Sequence, residues 1–561
     1  MKGFFIMIKT KLTSSLEKLF VDQDVENFCE IEKISVLKGE RFSFQLFYQP
    51  NYELETVDRV LWDVKTEGTL TKYMSVRCVT NIPVSRPVYP KRYDDNYLRT
   101  TPGIYPDLLL PIGRDNQVAT SYGSTPKSLW FEVILPEDVA AGEYEITVAL
   151  SSEYGEFSHT LKVEVINAVL PELDDFKYTD WFHCDSLATY YNVPVWSERH
   201  WEIVENFAKA AVKSGVNLLL TPLFTPALDT RVGGERLTNQ LVGVTKCGGE
   251  YSFDFTLVER WIEMCDRVGI KYFEVCHLFT QWGAYHAPKV MATVDGEYKK
   301  IFGWETDATD PEYTRFLRAF LTEFLAFMKK KGRDKDCLFH ISDEPTLDHL
   351  ESYKAAKDSV ADLLEGYTIM DALSRYPFCE NGVVTTAIPA NNHIEPFLEN
   401  KVPNLWTYYC CSQVVNVSNR LVAQSLSRTR SIGMQMYKYD IVGFLHWGFN
   451  FYQNCHSRDA VNPYLNCCGD EWVIAGDMCT VYPAQDGTPY ESMRLPVFFD
   501  ALQDMRAMKL CEKYYPKAEI VEGIEKIFGK ELKFNTCAED SAVMLGIREY
   551  VNSLIKKAIS K

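Results

Sequence analysis

Between residues 176 and 450 the chain repeats one pattern, a short apolar run followed in most cases by an amphipathic helical stretch. The apolar runs span 176–184, 217–223, 271–279, 337–342, 367–373, 383–389, 405–411 and 443–450. Ser197 starts a helical stretch that ends near Gly215, and Thr256 starts another that ends near Gly269. Pro311 opens a third, which carries Phe316, Phe320, Phe324 and Phe327 at helical spacing before Gly332. Such a stripe is a core-facing surface rather than a binding device. The link between the fifth and sixth runs is short for a helix. Eight strand–helix units in this length predict a (β/α)8 TIM-type barrel, an α/β architecture.

The first 170 residues follow a different period. Phe42, Phe44, Leu46 and Tyr48 alternate with polar neighbours, as a half-buried strand requires. Further strands are expected over 128–135, 142–150 and 157–166, the last two joined by a hairpin at Ser151-Ser152-Glu153-Tyr154-Gly155. Short strands with Gly and Pro punctuation predict an all-β sandwich. Val169-Leu170-Pro171-Glu172 reads as its exit linker. The expected division is a sandwich over 1–170, a barrel over 171–513 and a short C-terminal helical tail over 514–561. Residues 451–490 form a long excursion after the eighth strand, and loops of that length are usually functional or ordered by packing.

A formal net charge of -18 disfavours nucleic acid or an anionic membrane surface as partner. No run approaches the roughly 20 apolar residues of a membrane span. The N-terminal apolar stretch is too short for a signal core and is interrupted by Lys9 and Lys11. The 16 cysteines include no C-x-x-C pair, and several lie in apolar runs as small core residues. These features predict a cytoplasmic protein whose thiols stay reduced.

In a barrel, active sites lie at the C-terminal ends of the strands. A census of those ends finds His183-Cys184-Asp185 on the first, His277 with Gln281-Trp282 on the third, and Asp343-Glu344-Pro345 on the fourth. The fifth offers Asp371, the seventh Trp406, Tyr408 and Tyr409, and the eighth His446, Trp447 and Asn450. An isolated Asp-Glu-Pro reads first as a helix cap with first-turn acids. Its position after the apolar strand Leu338-Phe339-His340-Ile341 favours catalysis instead, with Glu344 as general acid/base beside Asp343. Glycosidases usually pair two carboxyls across the scissile bond, yet the seventh and eighth strands end in aromatic and neutral residues. An adjacent Asp-Glu pair suits a substrate-assisted route, in which the sugar's own 2-acetamido carbonyl attacks C1. One acid then protonates the leaving oxygen while the other holds the acetamide N–H.

Tyr408 is a candidate for orienting the acetamide, or a rim tyrosine with a satisfied hydroxyl. Trp447 is a candidate hydrophobic floor or simple packing. Asp371 is read as a sugar-hydroxyl ligand or as a turn cap; in an ordinary two-carboxylate glycosidase, Asp371 or a loop acid would be the nucleophile. Trp406, Trp282 and Asn450 complete the candidate substrate contacts. His183 and His277 join them, although buried histidines are more often structural. No third ligand joins His183 and Asp185, so no metal is expected. A non-catalytic carbohydrate-binding barrel is the remaining alternative.

The order of sandwich then barrel, with Asp343-Glu344-Pro345 on the fourth strand, resembles glycoside hydrolase family 123, the β-N-acetylgalactosaminidases. The segment Gly476-Asp477-Met478-Cys479-Thr480-Val481-Tyr482-Pro483, then Ser492-Met493-Arg494 and Asp504, is similar to that family's C-terminal signature, in shortened and divergent form. The resemblance implies that Glu344 is the acid/base and Asp343 the acetamide-stabilising acid. It implies a retaining, cofactor- and metal-independent enzyme that removes terminal β-linked N-acetylgalactosamine from glycans or glycolipids.

Overall fold

Phe44, Leu46 and Tyr48 bury their side chains and the Phe44 ring stacks on Phe131 at 5.0 Å, but Gln45 and Phe47 on the opposite face are buried as well, so this strand is covered on both sides rather than half-buried. This computed structural model describes residues 7–51, 60–112, 118–121, 124–152, 155–172 and 175–560. Residues 1–6 of the N-terminal apolar stretch and the Glu153-Tyr154 centre of the expected hairpin lie outside them. Among the described residues, one five-stranded sheet runs Met7–Ser14, Arg41–Asn51, Lys127–Ile134, Met74–Val84, Gly103–Pro111. A second runs Lys33–Lys38, Gly155–Val169, Gly142–Ser152, Val60–Glu67, Val118–Ser121. Trp62, Leu129, Phe131, Val148 and Val163 from the two sheets share one apolar core.

The chain divides into two compact units. The first comprises Met1–Asp174, Val414–Lys438 and Tyr490–Lys561, and the second Asp175–Gln413 and Tyr439–Pro489. The helices Ile432–Lys438, Arg494–Cys511 and Ser541–Ile559 therefore group with the sheets above, a partition that differs from divisions at 170 and 513. Buried ion pairs explain this grouping. Arg494 clasps Asp107 with two hydrogen bonds of 2.7 and 2.9 Å, and Arg548 joins Glu40 to Asp504.

The second unit holds eight parallel strands among its described residues. They are β1 (Lys177–Asp180), β2 (Leu218–Thr221), β3 (Tyr272–Val275), β4 (Cys337–Phe339), β5 (Thr368–Ala372), β6 (Thr386–Ile388), β7 (Trp406–Tyr408) and β8 (Gly443–His446). β2 to β6 pair in sequence order, and β8 lies between β1 and β7. The two groups meet at both edges. The Asn217 N–H donates to the Tyr178 carbonyl at 3.1 Å, and Ala390 bridges Tyr408 in parallel. Each strand except β6, which begins three residues late, starts within one residue of its apolar run, and all stop short of the ends of those runs. Among the trimmed residues, Trp181, Cys410, Cys411 and Trp447 line the site.

The connecting helices begin within a residue of where the sequence places them. Ser197 accepts the His200 N–H ahead of Glu198–Lys213, and Asp310 accepts the Glu312 and Tyr313 N–H groups ahead of Pro311–Lys330. Gly269 ends Thr256–Val268 at φ 96°, a left-handed backbone that glycine adopts without cost. The link between β5 and β6 has only the four-residue helix Pro377–Glu380, and the next link only Glu395–Glu399. A sheet absent from the sequence reading grows out of the loops after β2 and β3. It pairs Glu250–Asp254, Gly243–Cys247, Val290–Val294 and Glu297–Phe302 in that order.

Candidate active site

Main-chain bonds fix the turn after β4 to its neighbours. The Trp282 N–H donates to the Asp343 carbonyl at 2.9 Å, and the Glu344 N–H donates to the Ala372 carbonyl at 2.9 Å. Glu344 sits at φ 43°, a left-handed backbone uncommon for a residue with a Cβ. Strain of this kind persists only where the surroundings over-determine it, and it concentrates at functional sites. Its result is that two adjacent acids face the same space.

That space is a cavity of about 160 Å³ lined by Asp343, Glu344, Tyr408, Asp229 and the indoles of Trp181, Trp282, Trp447 and Trp472. Cys410, Cys411 and Ser412 line another side. Aromatic walls around a few convergent polar groups are the usual make-up of a small-molecule site. Burial, and then the facing Glu344 and Asp229 charges, push the Asp343 carboxyl well above its ordinary value. Burial raises Glu344 as well, opposed by the Tyr408 hydroxyl, which donates to its Oε1 at 2.6 Å. The pair therefore retains a proton to higher pH than a solvated carboxylate would. Among the described residues none donates a hydrogen bond to the Asp343 carboxylate, so its acceptors are directed to the cavity.

The eighth strand and its excursion close the site. Trp447 donates from Nε1 to Asp477 at 2.8 Å and packs edge-on to Trp472 at 5.6 Å. Gly448 makes this closure possible, because a Cβ there would sit 2.2 Å from the Asp477 carbonyl oxygen. Asp477 was visible in the sequence only as part of a family-like segment; its hydrogen bond to Trp447 depends on the return of the excursion.

The remaining candidates part from the cavity. Asp371 is fully buried and accepts from His340 Nδ1 at 3.0 Å, from the Ile341 N–H and from the Tyr353 hydroxyl. It is not among the residues that line the cavity. His340 donates from its other nitrogen to Glu274 at 2.7 Å. Burial opposes its charge, yet Asp371 and Glu274 carry it up to about 10, so it is a buried cation. Glu274 in turn receives the Trp181 Nε1 at 2.8 Å, which anchors one wall of the cavity. Sequence reasoning missed Glu274 and His340, because both lie inside apolar strands.

His277 stacks on His340 at 4.3 Å between ring centres, and burial drives its basicity far down. His277, His340 and Asp371 offer ligand atoms within 4.8 Å of one another. Both His340 nitrogens already face carboxylates and the two rings lie parallel, so the three do not converge on an ion. His183 accepts from Arg236 at Nδ1 and meets the Trp447 carbonyl at Nε2, while Arg236 clasps Asp185 with bonds of 2.7 and 2.8 Å. Asn450 accepts the His183 N–H at 2.9 Å. His183 and Asn450 are thus joists under the rim rather than contacts in the cavity. Trp406 is a clear correction. It lies at the opposite edge of the strands with Lys177, Thr368, Asn404 and Val442, its ring filling the space above Gly443. It begins a three-residue strand, so its side chain belongs to the end remote from the turns.

A family model described as "Glycoside hydrolase 123, catalytic domain" matches residues 181–511, more than half of the chain. No curated protein matches the chain. Among solved structures, a family 123 glycoside hydrolase from Clostridium perfringens, analysed for glycolipid glycan hydrolysis, aligns over 99% of this chain and 100% of its own. Its sequence identity is 15% and its TM-score 0.74, a likeness of fold. A β-glucuronidase from Parabacteroides merdae aligns over 90% of this chain and 51% of its own, at 11% identity and a TM-score of 0.31.

Proposed function

The chain belongs to glycoside hydrolase family 123, and from that premise we propose that it is a retaining exo-β-N-acetylgalactosaminidase working by substrate assistance. The observation that carries this reading is the presence of Asp343 and Glu344, adjacent in sequence, in one aromatic cavity. The raised Glu344 carboxyl suits a general acid that gives its proton to the glycosidic oxygen as the C1–O bond breaks. The 2-acetamido carbonyl oxygen bonds to C1 in the same step, giving an oxazolinium ion. Asp343 accepts the acetamide N–H and balances the positive charge that develops there. Water then attacks C1, loses its proton to Glu344 and reopens the ring with net retention. Tyr408 holds Glu344 through its hydroxyl, and Trp447 supplies an apolar wall for the acetamide methyl.

The parallel order of β1 to β8 and the hydrogen bonds at both edges support a closed (β/α)8 barrel as the scaffold. The glycans or glycolipids proposed as substrates follow the glycolipid glycan hydrolysis of the Clostridium protein. A two-carboxylate mechanism loses its main candidate, since Asp371 is engaged by three donors away from the cavity. Release of nitrophenol from 4-nitrophenyl β-N-acetylgalactosaminide is the first test. Turnover is expected there and not on the 2-hydroxy β-galactoside. Equal or better turnover of the 2-hydroxy sugar sinks the reading.

A further inference from the structure

A third carboxylate faces the cavity, and the mechanism above leaves it unused. Asp229 lies in the loop after β2 and lines the same space as Asp343 and Glu344. Its backbone is held at φ 52°, in the left-handed region. Several bonds keep it there. The Asp229 N–H donates to Gln281 Oε1 at 2.8 Å, and the Ser457 hydroxyl donates to the Asp229 carbonyl at 2.9 Å. One residue earlier, the Leu228 carbonyl accepts from Arg236 at 3.2 Å, and that guanidinium is itself clasped by Asp185. The main chain is thus fixed from three directions. The side chain is treated differently, because among the described residues none donates a hydrogen bond to its carboxylate. Burial raises this carboxyl to about 7, with Arg236 opposing and the Glu344 and Asp477 charges adding to the rise.

A carboxylate on a rigid loop, aimed into a cavity and given no protein donor, is complementary to a ligand that brings its own. Saccharide hydroxyls are such donors, and a carboxylate accepts from two at once. Glu344 and Asp343 account for the C1 and C2 substituents in the proposed function, on which this step rests. We propose that Asp229 reads the identity of the sugar by accepting hydrogen bonds from ring hydroxyl groups beyond C2. A sugar lacking the matching hydroxyl leaves a buried acceptor unpaired, and sites built this way reject such analogues strongly. The loop that carries Asp229 therefore sets specificity, separately from the pair that carries out the chemistry.

The test measures kcat/KM of the wild type, D229A and D229N on 4-nitrophenyl β-N-acetylgalactosaminide and on its 3-, 4- and 6-deoxy analogues. Asparagine tolerates the left-handed backbone, so D229N decides the matter if D229A does not fold. Both variants are expected to lose at least about tenfold on the parent sugar. On the analogue missing the hydroxyl that Asp229 binds, that deficit should shrink towards unity. A loss below tenfold, or the same deficit on all three analogues, overturns the proposal. So does covalent labelling of Asp229 by a 2-fluoro sugar, which would make it a nucleophile. A wild type inactive on the parent sugar but active on 2-hydroxy sugars fails the proposed function instead, so the two failures are distinguishable.

Discussion

Glu344 is held between opposing influences, burial the larger and Tyr408 acting against it. Burial favours its neutral acid, while the hydroxyl at 2.6 Å donates to the ionised form and favours that. Removing the donor should therefore raise the Glu344 pKa further. A general acid loses activity as pH rises through its pKa, so the alkaline limb of kcat/KM for Tyr408→Phe should move upward. One charge-assisted hydrogen bond corresponds to about one pH unit or more. A limb that stays or moves down contradicts this role. The same residues show what could be read from the sequence. Asp343 and Glu344 were legible because an apolar run fixes the strand and the barrel rule says which end is catalytic. Asp229 was not, since its loop is positioned by Gln281, Ser457 and Arg236 from distant parts of the chain. Trp406 was misplaced because an apolar run does not say where its hydrogen-bonded core begins.

At the scale of elements, helix Arg494–Cys511 has no exposed stripe of the ordinary amphipathic kind. Val497, Phe498, Ala501, Met505 and Met508 are buried around it, as are Asp500, Asp504 and Arg506. Its backbone approaches helix Ile432–Lys438 closely at Gly433, where a Cβ would lie 2.0 Å from the Ala501 carbonyl oxygen. Gly433→Ala should lower stability by about 1–3 kcal/mol, through the displacement of packed helices. Urea unfolding checks it; an unchanged or raised midpoint at equal slope contradicts the close approach. The burial of this helix on all sides was not legible in the sequence, because ion pairs such as Arg430–Asp504 conceal its inner polar face. The inserted four-stranded sheet escaped notice for a related reason. Its strands are half-exposed and carry no continuous apolar run along their length.

For the molecule as a whole, the second unit alone carries the cavity residues, drawn from the end of β5 and from the turns after β1 to β4, β7 and β8. Spreading one site over so many turns lets the scaffold stay rigid while loops set specificity. The net charge of -18 remains a matter of solubility and partners rather than chemistry. All sixteen cysteines are free thiols, and no described helix is long and apolar enough to cross a membrane. The central claim is that the sugar supplies its own nucleophile. Stepwise fluorination of the acetamido methyl weakens the carbonyl oxygen as a nucleophile while leaving the glycosidic bond unchanged. Measured as kcat on the mono-, di- and trifluoroacetamido 4-nitrophenyl β-galactosides, turnover should fall steeply with each fluorine, by orders of magnitude across the series. A rate independent of fluorination would contradict the account and return the nucleophile to the protein.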